Sequence, residues 1–441
     1  MKFIKSGQLA GAPAAGHRRW GSLLLVAAAS IGVASLLTAC DQFTGTLTVD
    51  FVYVTSALAA GPNQYGEINV FEINSQSGRM RQIPASPFPS GGRNPVSEAI
   101  HPDDETLYVV NRDDNTIVQF AIGTDGKLYP QNTVNTPGIF PVATAVAATN
   151  LFVADTYVPL PTCSPASPCT GSVTAFPIAQ KATTINGRTF EADALLTGIP
   201  LNSCNGPAYL PLQLGGAAAS DILAPTYVSA SAKSSLLFVT AKDTTSGAGY
   251  LFGYTIGSAS CTIGGASVSI ATLSPLAGSP WNAGVTPSSV VQDPSGSYVY
   301  VTDAGNNNVL GFTTSGGTLT PVPNSPFAAG NAPSSIVIDK TGTLAYVANS
   351  LDSTITGYKI AANGALQAPA TFASDTQPVA IGIDPGLNQY LYTANFLANT
   401  VSGFQIDSAT GSLVNSQFSP YKASANPTAV AAIPHGSAVK K

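Results

Sequence analysis

One carboxylate sits where its neighbours in pattern are mostly apolar. Glu98, in NPVSEAIHP (94–102), falls at the position that Thr144, Val228, Val290, Ile336, Ile381 and Val430 occupy in related stretches. An acid on a mostly apolar strand is costly to ionise, so its pKa rises and it becomes suited to general-base work near neutral pH. The bland alternative is a structural carboxylate satisfied by Arg93 or by a backbone amide. A second set, Asn111, Asp155, Asp303, Asn349 and Asn395, closes one strand in each related stretch, with Ser56 joining it and Ala241 interrupting it. Gathered at one mouth of a channel, these oxygens would offer a divalent cation such as calcium part of its shell, with water supplying much of the usual six to eight ligands. As strand stops they would only organise turns. His101 stands where other stretches carry Asp293, Asp339 and Asp384 before a turn, and His435 lies beyond the last patterned segment. No G-x-S-x-G elbow brings serine, histidine and aspartate together.

The elements that position these residues follow from a repeat. An aromatic residue followed by Val or Thr recurs at Tyr53, Tyr108, Phe152, Phe238, Tyr300, Tyr346 and Tyr392, with spacings of 55, 44, 86, 62, 46 and 46. Strand-like units with a period in the forties are the signature of a β-propeller, one four-stranded blade per unit. The unit is plainest from Ala332 to Phe372: an alternating inner strand, a turn at 340–342, a second strand LAYVAN, a third strand STITGYKI, a hairpin at Asn363-Gly364, and an outer edge. Inner strands beginning near Pro95, Pro141, Pro225, Pro287, Pro333 and Pro378 precede six anchors, and none precedes Tyr53. The text NPTAVAAIP (426–434) has the missing inner-strand character at the other end of the chain. The expected fold is therefore an all-β seven-bladed propeller over 51–434, closed by a C-terminal strand that completes the first blade. The 86-residue interval is read as a single blade with insertions at 156–170 and 200–223, both on one face.

Composition agrees with a packed, exported chain. Only 9% of residues are charged and 44% are hydrophobic, so small and β-branched residues can fill a core despite the low charge. Arg18-Arg19, an apolar run from Leu23 to Leu37 and then Leu37-Thr38-Ala39-Cys40 read as a secretory signal over 1–39. The last four residues resemble a bacterial lipobox, which implies lipid on Cys40, a tether over 40–50, a tail over 435–441, and a membrane-anchored, extracytoplasmic protein. Without residues 1–39, 14 basic residues face 23 acidic ones, a net charge of −9. With no basic cluster, nucleic acid is excluded as a partner class. Four cysteines remain, and they allow three connectivities; Cys163 with Cys169 is the preferred close pair, which leaves Cys204 with Cys261. A zinc site finds little support, since no C-x-x-C occurs and only two histidines follow residue 39.

YVTS (53–56), YVVN (108–111), YVTD (300–303), YVAN (346–349) and YTAN (392–395) resemble the YVTN repeat. The wider unit is similar to the lactonase-type seven-bladed propellers, a group that includes 6-phosphogluconolactonase. That resemblance implies the propeller fold and, as an activity, hydrolysis of a sugar lactone. Active relatives often carry Arg and His after the inner-strand proline; here Val96 and Ser97 hold those positions, and no other inner-strand proline is followed by a basic residue or histidine. Two functions are accordingly open. The first is a monomeric, lipid-anchored binding or scaffolding module that takes a protein or carbohydrate on the insertion-bearing face. The second is a lactonase-like hydrolase using Glu98 and the channel-mouth oxygens, with a divalent cation as a possible cofactor.

Overall fold

A computed structural model describes residues 49–57, 64–147, 149–215, 221–231, 233–314 and 317–434. The signal segment, Cys40 and His435 lie outside the described residues. Among these residues, seven antiparallel sheets of four or five strands each form one blade, and a two-stranded hairpin stands apart. The inner strands are Pro427–Ile433, Pro95–Ile100, Ile139–Ala147, Leu223–Ser231, Pro287–Gln292, Pro333–Ile338 and Pro378–Ile383. Each packs beside the next, and the seventh beside the first, so they form a closed ring. The expected fold class is what the chain adopts.

The repeated aromatic anchor has a physical reason. Tyr53, Tyr108, Tyr300, Tyr346 and Tyr392 are completely buried, and several second-strand tyrosines reach into the adjacent blade. The Tyr300 hydroxyl donates to the Gly364 carbonyl at 2.8 Å, Tyr346 to Gly411 at 3.0 Å, and Tyr390 to Ser75 at 2.9 Å. A buried ring thus supplies apolar area while its hydroxyl finds a partner across the seam. Gly364 must be glycine for two reasons: its φ is +80°, and a Cβ there would lie 2.4 Å from the Tyr298 ring.

Closure also follows the expected scheme. Pro427–Ile433 pairs antiparallel with Val49–Ser56, from Phe51↔Ile433 to Thr55↔Ala429. The first blade is therefore stitched from both ends of the chain, and neither strand is left as an open edge. The strand begins at Val49, inside the segment assigned from sequence to the tether.

The third and fourth blades depart from the expectation. The first insertion does join the second strand, Asn150–Tyr157, to the third, Ser172–Pro177, and it is pinned by Cys163–Cys169. The fourth strand of that blade is Tyr209–Pro211, paired with Ser172–Thr174. The second insertion therefore occupies 178–208, not 200–223, and connects third to fourth strand. Because Pro177 pairs with Asn150 at the opposite end of the blade from Ser172, the two insertions leave on opposite faces rather than overhanging one. The short outer strand explains the error, since three residues carry almost no pattern.

The fourth blade adds a long hairpin, Gly249–Ile263 and Ala266–Pro275, which runs past its own sheet. Its far end packs on the 178–208 segment around Ile185, Phe190, Leu196, Ile199, Val268 and Ile270, a small core separate from the blades. Gly264 at the tip has φ +56°, and a Cβ there would meet the Asn186 backbone nitrogen at 2.4 Å, so only glycine allows the two turns to touch. Cys204–Cys261 ties the halves together across a separation of 57 residues, in the connectivity preferred from sequence. Replacing both cysteines by serine is expected to cost about 2–4 kcal/mol. Limited proteolysis should then cut first within 178–208, whereas an unchanged digestion pattern and melting temperature would show the bond to be dispensable.

Candidate active site

Glu98 sits in the middle of the second blade's inner strand, opposite Val109. Its side chain turns toward the first blade, where the Thr55 hydroxyl donates to Oε2. Thr55 is fully buried. Arg93, the partner weighed from sequence, is engaged elsewhere: its backbone amide and Nε donate to Asp114 at 2.7 and 2.6 Å. The Glu98 side chain as a whole is half-buried, yet Oε1 is shielded from solvent and has no hydrogen-bond partner among the described residues. Burial pushes its pKa up to about 8, and the Thr55 hydroxyl and the Ala431 amide offset only part of that rise. Near pH 7 most of the population is the neutral acid, so base chemistry at this carboxyl grows in as the pH approaches 8.

The second set does not form a ring of oxygens at a channel mouth. Asn111, Asp155, Asp303, Asn349 and Asn395 are all completely buried inside their own blades. Asn349 Nδ2 donates to the Thr354 and Thr356 hydroxyls at 3.1 and 2.9 Å, and its Oδ1 accepts the Gly330 amide at 3.1 Å. Asn395 repeats this pattern with Thr400 and Ser402. Asp303 accepts the Val285 and Thr286 amides at 3.0 and 2.8 Å, and the Asn111 Oδ1 accepts from Ser90 at 3.1 Å. They lie on second strands, not inner ones, and each is used up in tying the third strand and the preceding loop to its own sheet. Among the described residues, no group of three or more His, Cys, Asp or Glu side chains is placed to hold a metal.

Asp155 is the exception within that set. Its Oδ2 accepts the Thr174 hydroxyl at 2.9 Å, while Oδ1 has no hydrogen-bond partner among the described residues. Burial raises its pKa to about 7, against the opposing effect of Thr174 and Thr136. A protonated Asp155 has one donor and one acceptor oxygen, which is what the asparagines offer at equivalent places.

The positions that lack the Arg-His pair carry structure instead. Ser288 donates to the Pro333 carbonyl at 2.5 Å, Ser334 to Pro378 at 2.8 Å and Thr428 to Pro95 at 2.9 Å. Each hydroxyl follows an inner-strand proline and binds the proline of the next blade, stitching the ring. His101 stands in its turn, with Nδ1 2.8 Å from Asp103.

Sequence reasoning missed a second pair of acids. Asp50 and Asp384 are buried at the closing seam, and a Cβ on Gly386 would lie 3.3 Å from Oδ1 of Asp384 and 3.5 Å from Oδ1 of Asp50. Burial, then the charge and hydrogen bond of Asp50, raise the Asp384 pKa. Asp384 was legible only as a turn residue, because nothing in the local text shows that ring closure brings Asp50 to it.

No curated protein matches the sequence significantly. Among solved structures, the periplasmic gluconolactonase of Pseudomonas aeruginosa is 16% identical, with a TM-score of 0.61 over 87% of this chain and 99% of that one. A candidate 6-phosphogluconolactonase from Bacteroides fragilis is 18% identical, with a TM-score of 0.61 over 88% and 99%. At such identities the likeness is one of fold. A family model, described as lactonase, 7-bladed beta-propeller, matches residues 50–157 and 282–439, leaving the expanded part of the third and fourth blades between them. With more than half of its length matched, on both sides of the closing seam, the chain belongs to the seven-bladed β-propeller lactonase family.

Proposed function

We propose that this protein is a lactonase-like hydrolase that opens a sugar lactone, with Glu98 as the proton-transfer group. The observation that carries the reading is a carboxyl on an inner strand with one oxygen held by Thr55 and the other without a hydrogen-bond partner among the described residues, in a chain of the lactonase family. In its ionised form Glu98 takes a proton from a water molecule as the water oxygen attacks the lactone carbonyl. The ring C–O bond then breaks, and the proton returns to the leaving ring oxygen to give the hydroxy acid. Because the ionised form appears as pH approaches 8, kcat/KM for the wild type should climb between about pH 6.5 and 8.5. The lipobox reading of Cys40 adds a proposed extracytoplasmic setting, in keeping with the periplasmic location named for the Pseudomonas relative.

The test is initial-rate hydrolysis of glucono-δ-lactone and its 6-phosphate, corrected for spontaneous opening, for the wild type and Glu98→Gln. We expect kcat/KM to fall by about 10²–10⁴-fold in the variant and its pH dependence to flatten. Turnover in the variant within twofold of wild type would remove Glu98 from the chemistry. A wild type with no rate above background would remove the hydrolase reading.

A further inference from the structure

The segment outside the family match, 158–281, contains both disulfides, the small separate core and the long hairpin of the fourth blade. With Thr149 and Asn150 it also lines an open-sided cavity of about 340 Å³ between the end of the third blade's third strand and the outer strand of that hairpin. This volume is at the lower end of small-molecule sites. None of the residues around Glu98 lines it, so it is a separate place on the molecule.

Its walls combine two characters. The floor is apolar, with Ile178, Leu196 and Val268, the last two drawn from the buried separate core. Above it stand hydroxyls and amides, including Ser267, Ser269 and Gln180, and a single charged residue, Lys181. Lys181 is exposed and has no acidic partner among the described residues. The walls are held by ladder pairing of Ser260 with Ser269 and of Cys261 with Val268 within the hairpin, by the Cys204–Cys261 bond, and by the contact of the two hairpin turns at Asn186 and Gly264. A rigid pocket with an apolar floor, several neutral hydrogen-bonding groups and one ammonium matches a compact polyhydroxylated molecule bearing one carboxylate.

We propose that this cavity is a binding site for a free sugar acid of one or two rings, with its carboxylate on Lys181 and its hydroxyls on the serine and amide groups. The site stands independently of the hydrolase reading, because it shares no residue with Glu98 and requires no turnover. Nor does it need the face-on docking of a protein.

Calorimetric titration of the wild type with D-glucuronate, D-galacturonate and D-glucose tests it, alongside Lys181→Gln and Ser269→Tyr. Both changes are at exposed positions, so folding is expected to be preserved, and wild-type melting temperatures would confirm this. Ser269→Tyr adds bulk to the cavity lining and leaves Lys181 itself unchanged. The expected result is saturable binding of a uronate, weakened about tenfold or more by Lys181→Gln, abolished by Ser269→Tyr, and at least tenfold weaker for glucose. No heat with either uronate at millimolar concentration would overturn the proposal. So would equal affinity for glucose, or uronate binding that survives both substitutions.

Discussion

The propeller is expected to melt at a lower temperature at pH 8.5 than at pH 5, with the loss set in three buried carboxyls. Glu98 has a folded pKa of about 8 against an ordinary 4.5, and Asp155 about 7 against 3.8. Asp384 is raised as well, by burial and by Asp50 beside it. A group whose folded pKa lies above its unfolded value stabilises the fold fully below the unfolded pKa, and that contribution disappears as pH rises through the folded one. For Glu98 and Asp155 the loss runs from about pH 4 to about pH 8 and amounts to several kcal/mol at most. At the acid end the sign reverses. Asp339 and Asp243 are held below the usual carboxylate range because backbone amides and hydroxyls donate to them, outweighing their burial. Their contribution is lost as pH falls below about 4. The stability optimum should therefore lie near pH 4–5, with Tm about 5–10 °C lower at pH 8.5. Asp155→Asn, which supplies the donor that a protonated acid supplies, should raise Tm at pH 8.5 and leave it unchanged at pH 5. A Tm that is flat or rising from pH 5 to 8.5 would contradict the whole assignment.

The second large effect concerns the seam. Removing residues 426–441 takes away the inner strand of the first blade, the ladder partner of Val52–Thr55 and the amide facing Glu98. It leaves Val49–Ser56 as an open edge and uncovers Val52, Val54 and Tyr392, all completely buried in the native ring. Burying apolar area is worth about 25 cal/mol per Å², and the loss of several such side chains is comparable to the typical net stability of a domain. The truncated chain is expected to be aggregation-prone, with no cooperative unfolding transition near that of the full chain. A subtler version is Ala431→Pro, which removes one donor in the middle of the strand and should cost about 3 kcal/mol or more. Calorimetry on both decides the matter; a truncated protein that melts like the wild type would mean the ring is held without its closing strand.

Much of this architecture was legible because it is periodic. Seven aromatic anchors and seven inner-strand prolines read correctly, and so did the closure, since an inner strand without a blade must pair with a blade that lacks one. The cysteine pairing was legible from short spacing and elimination. What escaped was either weakly patterned or brought together only in space. Tyr209–Pro211 is too short to show alternation, which misplaced the second insertion. The long hairpin around Gly264-Gly265 alternates small residues, a faint signal with no counterpart in other blades. Four S-P-aromatic turns, at Ser86, Ser279, Ser325 and Ser419, went unread although each serine hydroxyl accepts a third-strand amide of its blade, at Val70, Gly253, Gly311 and Gly403. The polar residues closing the second strands failed as a ring for a reason of geometry. Equivalent positions in a propeller share a radius, but only inner strands put that radius near the axis.

The closing seam also fixes how the molecule can be held. Val49 pairs with Asn74 and Ile433 with Phe51, so both ends of the ring leave from the face at which third strands finish. The 178–208 segment and its cavity are on that face, while the Cys163–Cys169 loop is on the other. Any leash or fused partner attached at either end acts as a single handle on one side of the disc. It leaves the disulfide-pinned loop pointing outward and the sugar-acid cavity on the side toward whatever holds the handle.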